Sequence, residues 1–518
     1  MKKTLLSLFA LSASLVGFAA NPNPFAYAVS GEYDALTLDV AYSLNTDADK
    51  AEVQILKNGT VVKTQEVSAT AGENTAEIDL SDLADGDYTW QIAVTGGATT
   101  GNAVEFVSLD WNHPRGVDTD RNFESPAFGN IYVTEGRSST NTSYYSCSTT
   151  GGGNGLYIFT PDMAGVENKA TGKYAFMGGL TADQKVASGS TTNGADLCRV
   201  RVAEDGRIFV TRLNDSGSYI CVAESATDLI EKNEFTSLLG EGSVNTTDFG
   251  FYNTNNEFVA GPNYAFDIYG SGKDLKMATL AAMSGLWSYA SRGSYANEYA
   301  LGEASTLPIP TTIDVFNGHF TAAPQSTSIC YDDRGGIWYS QYRDAHTNTI
   351  PSLVYVDANG TQKYLSGEGA TARYSGGIRF SPDYKQLVMG TSLKSFTIYD
   401  VSYATDGTPT LTENLVVSYT YDNKNINDFA WDLAGNIYAV SNGGEYVKGF
   451  AVPRADNTFA TKAASKYNFT VDTATGVETI GADNAPVEYY NLQGVKVENP
   501  ENGIFIKKQG NKAVKVIL

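Results

Sequence analysis

Charged side chains recur at one place in this chain, just ahead of an acidic, glycine-bearing turn. Asp118, Arg199, Arg201, Asp267, Arg379 and Asp428 stand on short runs where the alternate positions are apolar, such as Val200 and Val202, Ile378 and Phe380, and Phe429 and Trp431. Carboxylates and guanidiniums gathered at one site have two uses. They can bind or cleave a polar ligand, or they can neutralise one another across a packed interface, since a buried charge is costly without a partner. Both uses remain open at this level, and they need the same thing: elements that bring six distant positions together.

Those elements are repeats. "FGNIYVTEG" at Phe128 returns as "DGRIFVTRL" at Asp205, "GKDLKMATL" at Gly272, "GGIWYSQY" at Gly335, "YKQLVMGTS" at Tyr384 and "GNIYAVSN" at Gly435. The matching apolar residues are Ile131, Ile208, Leu275, Ile337, Leu387 and Ile437. A second series, with glycines Gly178, Gly240, Gly302 and Gly367, runs out of phase with the first. In the second copy, "CRVRVAED", "RIFVTRL", "SYICVAES" and "FTSLL" read as four consecutive strands with period-two alternation. A four-stranded sheet repeated roughly every 50 to 80 residues buries its two faces only against its neighbours, which predicts a β-propeller of six blades over 112–471. The first strand of each unit then lines the axis, and the six charged residues with it.

The flanks are also strand-like. Residues 24–109 alternate through "LTLDVAYSL", "AEVQILKNG", "TVVKTQEV", "TAEIDL", "YTWQIAV" and "AVEFVSL", which predicts an antiparallel sandwich. Residues 476–518 form a small β module with a turn at Asn502-Gly503. The fold class is therefore all-β: a sandwich, a six-bladed propeller and a small terminal module. Residues 1–20, with Lys2 and Lys3 before an apolar run and small residues at Gly17 and Ala19, read as a secretory signal peptide. Export to the periplasm, the outer cell surface or the medium is the expectation, with no transmembrane segment.

Several resemblances accompany this reading. "HPRGVDTDRNFESPAFGNIYVTEG" and "NDFAWDLAGNIYAVSN" resemble NHL-type six-bladed propellers, and "IRFSPDYKQLVMG" is similar to the S-P-D turn of many propeller families. Leu83 followed by Tyr88 resembles the tyrosine corner of fibronectin type III and other immunoglobulin-like domains. "YYNLQGVKV" and "NGIFIKK" are similar to terminal modules of exported Bacteroidetes proteins, including sorting tails of type IX secretion. The propeller resemblance implies a scaffold shared by binding proteins, lactonases and lyases. In the lactonase-like members, inner-strand Glu, Asn and Asp hold a divalent metal, and Asn427, Asp428 and Asn263 would supply such oxygens here. Arg115 stands where the first blade would need its glutamate, so the expectation is no cofactor and no metal, with calcium as the alternative.

Other chemistry is hard to place. The three histidines, His113, His319 and His346, form no zinc pattern. "GSGKD" at Gly270 lacks Walker spacing, "GGGNG" at Gly151 is no dinucleotide fingerprint, and no GxSxG elbow occurs. No catalytic residue is identified. A net charge of -22 argues against nucleic acid. The four cysteines, Cys147, Cys198, Cys221 and Cys330, need not pair in so long a chain, and Cys198 and Cys221 fall on the first and third strands of one sheet, beyond disulfide reach. Insertions in the first and third units carry Tyr144, Tyr145, Trp287, Tyr289 and Tyr295, aromatic side chains suited to sugar rings or protein interfaces unless they fill the core. The expected activity is binding of a glycan or a surface protein; a hydrolase or lyase acting on a polysaccharide or lactone is the alternative.

Overall fold

The computed structural model describes residues 20–34, 36–111, 114–135, 155–176, 196–213, 219–238, 244–245, 250–252, 258–260, 262–281, 295–314, 328–340, 353–365, 376–392, 395–418, 426–441, 446–472, 486–509 and 512–518. Strands β1 (Ala26–Asp34), β2 (Thr37–Leu44) and β5 (Gly72–Asp79) form one sheet of the sandwich. The facing sheet contains β3 (Lys50–Lys57), β4 (Thr60–Val67) and β6 (Gly86–Thr95). Leu38, Val40, Val53, Ile55, Trp90 and Ile92 are buried between them. The Tyr88 hydroxyl donates to the carbonyl of Ala84, closing the corner ahead of β6.

Two segments join sheets other than those expected. β7 (Val104–Asp110), which its alternation placed at the end of the sandwich, pairs instead with the last propeller blade. β33 (Thr458–Lys462) and β34 (Phe469–Val471), expected at the end of the propeller, both pair with β6 in the sandwich. Phe469 and Val471 enter the sandwich core, and the Trp90 indole donates to the Tyr467 carbonyl at 3.0 Å. Alternation shows that a segment is a strand; it carries no information on which open sheet edge the strand will reach. The propeller is thus inserted within the sandwich: β7, just ahead of blade 1, closes the last blade, and strands from beyond the propeller complete the sandwich sheet.

Six sheets surround the propeller axis. Blade 1 holds β8 (Pro114–Thr119), β9 (Ile131–Glu135) and β10 (Gly155–Phe159); blade 2 holds β11 (Asp196–Val202), β12 (Ile208–Leu213), β13 (Tyr219–Ala223) and β14 (Thr236–Ser237). A small sheet of β15 (Val244–Asn245), β16 (Gly250–Tyr252) and β17 (Phe258–Ala260) follows. Blade 3 is β18 (Pro262–Tyr269), β19 (Lys276–Ala281), β20 (Tyr295–Tyr299) and β21 (Thr311–Asp314). Blade 4 is β22 (Ser328–Tyr331), β23 (Ile337–Ser340), β24 (Leu353–Val356) and β25 (Gln362–Leu365). Blade 5 is β26 (Ile378–Phe380), β27 (Gln386–Ser392), β28 (Ser395–Tyr403) and β29 (Pro409–Ser418). Blade 6 takes β30 (Asp428–Trp431), β31 (Asn436–Ser441) and β32 (Tyr446–Ala451), with β7 as its outer strand.

The innermost strands pack in the cyclic order β8, β11, β18, β22, β26, β30 and back to β8, so the ring is closed. Each junction between blades is filled by its own apolar cluster: Tyr132, Leu156 and Val200 between blades 1 and 2, for example, and Phe396, Phe429 and Ile437 between blades 5 and 6. The acidic turns explain the repeat. Asp332 accepts from the backbone N–H of Arg334 and Gly336, and Asp432 from that of Asn436. Gly206 and Gly435 close two such turns at φ 88° and 85°, a conformation that favours glycine. Of the second glycine series, only Gly302 is among the described residues.

The sandwich docks where these turns of blades 6 and 1 emerge. Asn23 donates its N–H to Asn436 Oδ1 at 2.7 Å and its side-chain amide to Val452 O at 2.9 Å. Phe25, Tyr27, Phe128 and Ala434 form an apolar contact beside it. Burial at this face pushes the Asp120 and Asp432 carboxyls up to about 6. The terminal sheet, β35 (Val487–Tyr490), β36 (Lys496–Val497), β37 (Ile504–Gln509) and β38 (Lys512–Ile517), has no buried residue among those described.

Candidate functional site

The six charged residues singled out by their spacing meet at the propeller axis, and all are buried. Arg201 of blade 2 makes a forked contact with Asp428 of blade 6, at 2.8 and 3.0 Å, and its Nε lies 3.2 Å from Asp267 of blade 3. Arg379 of blade 5 reaches Asp118 of blade 1, at 3.2 and 3.3 Å, and also pairs with Asp267. Arg199 donates to the Asn427 carbonyl at 2.9 Å. The guanidiniums therefore span the axis, and the Arg201–Asp428, Arg379–Asp118 and Arg379–Asp267 pairs join blades that are not neighbours in the ring.

Each carboxylate also bridges adjacent blades through the backbone. Asp118 accepts the N–H of Val202 at 2.9 Å, Asp267 that of Tyr331 at 2.9 Å, and Asp428 that of Val117 at 3.1 Å. Burial works to raise the Asp428 carboxyl, but Arg201, Arg199 and Arg379 outweigh it and hold Asp428 below the usual carboxylate range. Burial likewise acts to lower Arg379, and Asp118 and Asp267 overcome it, leaving that guanidinium more firmly protonated. Three acids and three arginines balance in formal charge, and the carboxylate oxygens are engaged by donors. Such a centre holds blades in register.

A divalent cation does not fit these residues. Asp428 is occupied by Arg201 and the Val117 N–H, and a cation there would face three guanidiniums. The Asn263 side chain lies outside the described residues. Among the described residues no group of three or more His, Cys, Asp or Glu side chains converges as a metal site. Cys198, Cys221 and Cys330 are buried, and burial pushes Cys330 well above its ordinary value. Cys147, Tyr144, Tyr145, Trp287 and Tyr289 lie outside the described residues. Tyr295 opens β20, opposite Asp314 of β21 in the pairing, and its side chain is not among those described.

Spacing alone passed over a second set. In two copies the residue three after the marker isoleucine is a buried hydroxyl that staples neighbouring blades: Thr134 donates to Cys198 O at 2.9 Å, and Ser340 donates to Gly376 O at 2.5 Å. Small residues stand beside them because backbones meet there. A Cβ on Gly116 would lie 2.7 Å from the Arg199 Cα, and one on Gly377 would lie 2.8 Å from the Asp428 Cα. Thr134, Thr211 and Ser340, each three residues after a marker isoleucine in three of the six copies, were the available signal.

No family model matches the chain, and no curated protein matches it. Solved structures do. A protein of unknown function from Bacteroides thetaiotaomicron is 9% identical, covering 82% of this chain and 98% of its own, with a TM-score of 0.38. The virginiamycin B lyase of Staphylococcus aureus is 9% identical over 67% of this chain and 98% of its own, with a TM-score of 0.36. A glucose dehydrogenase is 10% identical over 68% and 99%, with a TM-score of 0.37. The strand pairing and the closed ring define the class on their own: this is a six-bladed β-propeller joined to a β-sandwich.

Proposed function

We propose that the protein is an exported binding protein whose propeller presents a recognition surface, for a glycan or a surface protein, on the face away from the sandwich. One observation carries this reading, the asymmetry of the two faces. Because adjacent strands run antiparallel, successive connections leave from alternate faces. On the docked face the turns 203–207, 332–336 and 432–435 are short, and longer stretches such as 160–175 and the segment holding α1 (Ala226–Lys232) fold back onto their blades. From the other face leave the long connections 136–154, 177–195, 282–294, 315–327 and 341–352. Two of these hold Tyr144, Tyr145, Trp287 and Tyr289 among Ser, Asn and Gly, a composition that combines rigid aromatic contacts with adaptable hydrogen bonding.

In this reading, residues 1–20 direct export, the sandwich is a fibronectin type III-like module that anchors the docked face, and 476–518 is a sorting tail of the Bacteroidetes kind. The axial charges supply rigidity, which supports binding over a hydrolase or lyase reaction at Asp118, Asp267 or Asp428. The test is a glycan array with the native chain and with the Tyr144→Ala/Trp287→Ala variant, followed by product analysis after long incubation. Binding weakened at least tenfold in the variant, with no product, is expected. Product formation abolished by Asp267→Asn would overturn the reading in favour of an enzyme.

A further inference from the structure

Of the twelve large apolar side chains exposed among the described residues, seven lie in the terminal sheet and its turns. Five of the seven, Leu492, Val495, Ile504, Ile517 and Leu518, come together at one end of the sheet, as the strand register dictates. Tyr490, the last residue of β35, pairs with Ile506, and Ile504, the first residue of β37, pairs with Ile517, the last residue of β38. Gly503 and Leu518 exchange two backbone hydrogen bonds just beyond that pair. The turn 491–495, which links β35 to β36, therefore leaves from the same end of the sheet as Ile504, Ile517 and Leu518. Asn491 fixes the turn by accepting the N–H of Gln493 and of Val495, and Gly494 takes φ 80°. Leu492 and Val495 are 62% and 60% exposed, and Ile517 is 79% exposed.

Lysines stand a step back from this end. Lys515 pairs with Ile506 and Lys507 with Val514 in the ladder, and Lys496, opposite Tyr490, makes an ion pair with Glu488 at 2.7 Å. The opposing charges besides Glu488 are Glu498 and Glu501, in the connection that leads to Ile504. Five lysines against three glutamates give residues 486–518 a charge of +2, so the remainder of the chain carries -22 - 2 = -24.

We propose that this end of the terminal sheet is a membrane-contact tip that seats in the headgroup layer of an anionic bilayer. Large aliphatic side chains gathered on an exposed corner mark a contact surface. With lysines just behind them they match a bilayer surface, where apolar atoms enter the acyl boundary and ammonium groups meet anionic headgroups. The sign of the charge selects this occupant: the acidic remainder of the chain is repelled by such a surface, so contact is confined to the terminal sheet. A second copy of the chain fits less well. Two such ends bring like charges together, and five side chains a copy fall far short of the roughly 20 residues a side that a stable interface uses. The tip lies outside the recognition face and does not depend on it.

The experiment is flotation of the exported form, residues 21–518, with vesicles of phosphatidylglycerol and phosphatidylcholine in equal parts and with vesicles of phosphatidylcholine alone. This form keeps every strand of the fold and removes the apolar run at 1–20, which would mask the readout. It is repeated on Leu492→Ser/Ile517→Ser and, as a control, on Val61→Ser/Val62→Ser, an exposed apolar pair on β4 of the sandwich. The native chain and the control should float with the mixed vesicles, the tip variant at least tenfold less, and added salt should weaken the binding. The melting temperature of the tip variant should match that of the native chain, because both side chains are exposed. Absence of native flotation with the mixed vesicles, or flotation unchanged in the tip variant, would overturn the tip. Equal flotation with phosphatidylcholine alone would overturn the choice of an anionic surface. A dimer in sedimentation velocity that the tip variant dissolves, with no flotation, would assign this end to a second copy instead.

Discussion

The axis of the propeller and the junctions between its blades do the same job by different chemistry. At the junctions, clusters such as Phe396, Phe429 and Ile437 fill the space between sheets with apolar side chains. At the axis, six strands converge, backbones approach closely at Gly116 and Gly377, and the remaining space is filled by three aspartates and three arginines. Long guanidiniums reach across a centre that a leucine on one strand could not span. The difference shows that position in the ring, and not burial alone, decides whether a buried site is apolar or charged.

Breaking the axis should cost most. Arg201→Met leaves Asp428 without its ion-pair partner and Asp267 with one guanidinium fewer in a buried site, and a loss of about 3–5 kcal/mol in denaturant unfolding is expected. Adding Asp428→Asn, which keeps an acceptor for the Val117 N–H while removing the unpaired charge, should restore most of that loss. A double variant as unstable as the single one would show that the pair matters for more than charge balance. At a junction, Ile437→Ala removes a fully buried side chain and should cost about 2–5 kcal/mol. Both effects should persist in high salt, because neither site is screened by solvent ions.

A buried carboxylate with no ion pair among the described residues sharpens the contrast. Asp120 is buried against Ser125 and the Asn122 N–H, and its folded pKa lies above its unfolded value. The folded state therefore holds the proton more tightly, so the contribution of Asp120 to stability is present below about pH 4 and is lost as pH rises through about 6. Asp120→Asn keeps an acceptor for the Asn122 N–H and reverses the Ser125 contact, its amide donating to the Ser125 hydroxyl, and should stabilise the protein at pH 7.5 by up to about 3 kcal/mol while flattening the melting-temperature profile between pH 4 and 7. Asp428, held low by arginines, should have the opposite dependence, losing its contribution only as pH falls through its depressed value. The smallest effect is at a staple: Thr134→Val leaves the Cys198 carbonyl without its donor and should cost about 1 kcal/mol.

Much of the axial site was legible because alternation puts Asp118, Arg201, Asp267 and Arg379 on the side of each first strand opposite the apolar residues. Their pairing was not legible. Arg201 and Asp428 are 227 positions apart, and only closure of the ring makes them partners. The strand character of Val104–Asp110 and Thr458–Lys462 was clear in the same way, while their sheets were not.

By itself the sequence determined the β alternation, the six repeated units and their acidic glycine turns, because side-chain period and left-handed turn positions are local properties. Only the tertiary structure decided how sandwich and propeller interlock and which charges cancel across the axis. Those outcomes depend on which edges and side chains the closed ring brings within bonding distance, and such proximity is not encoded in any single segment.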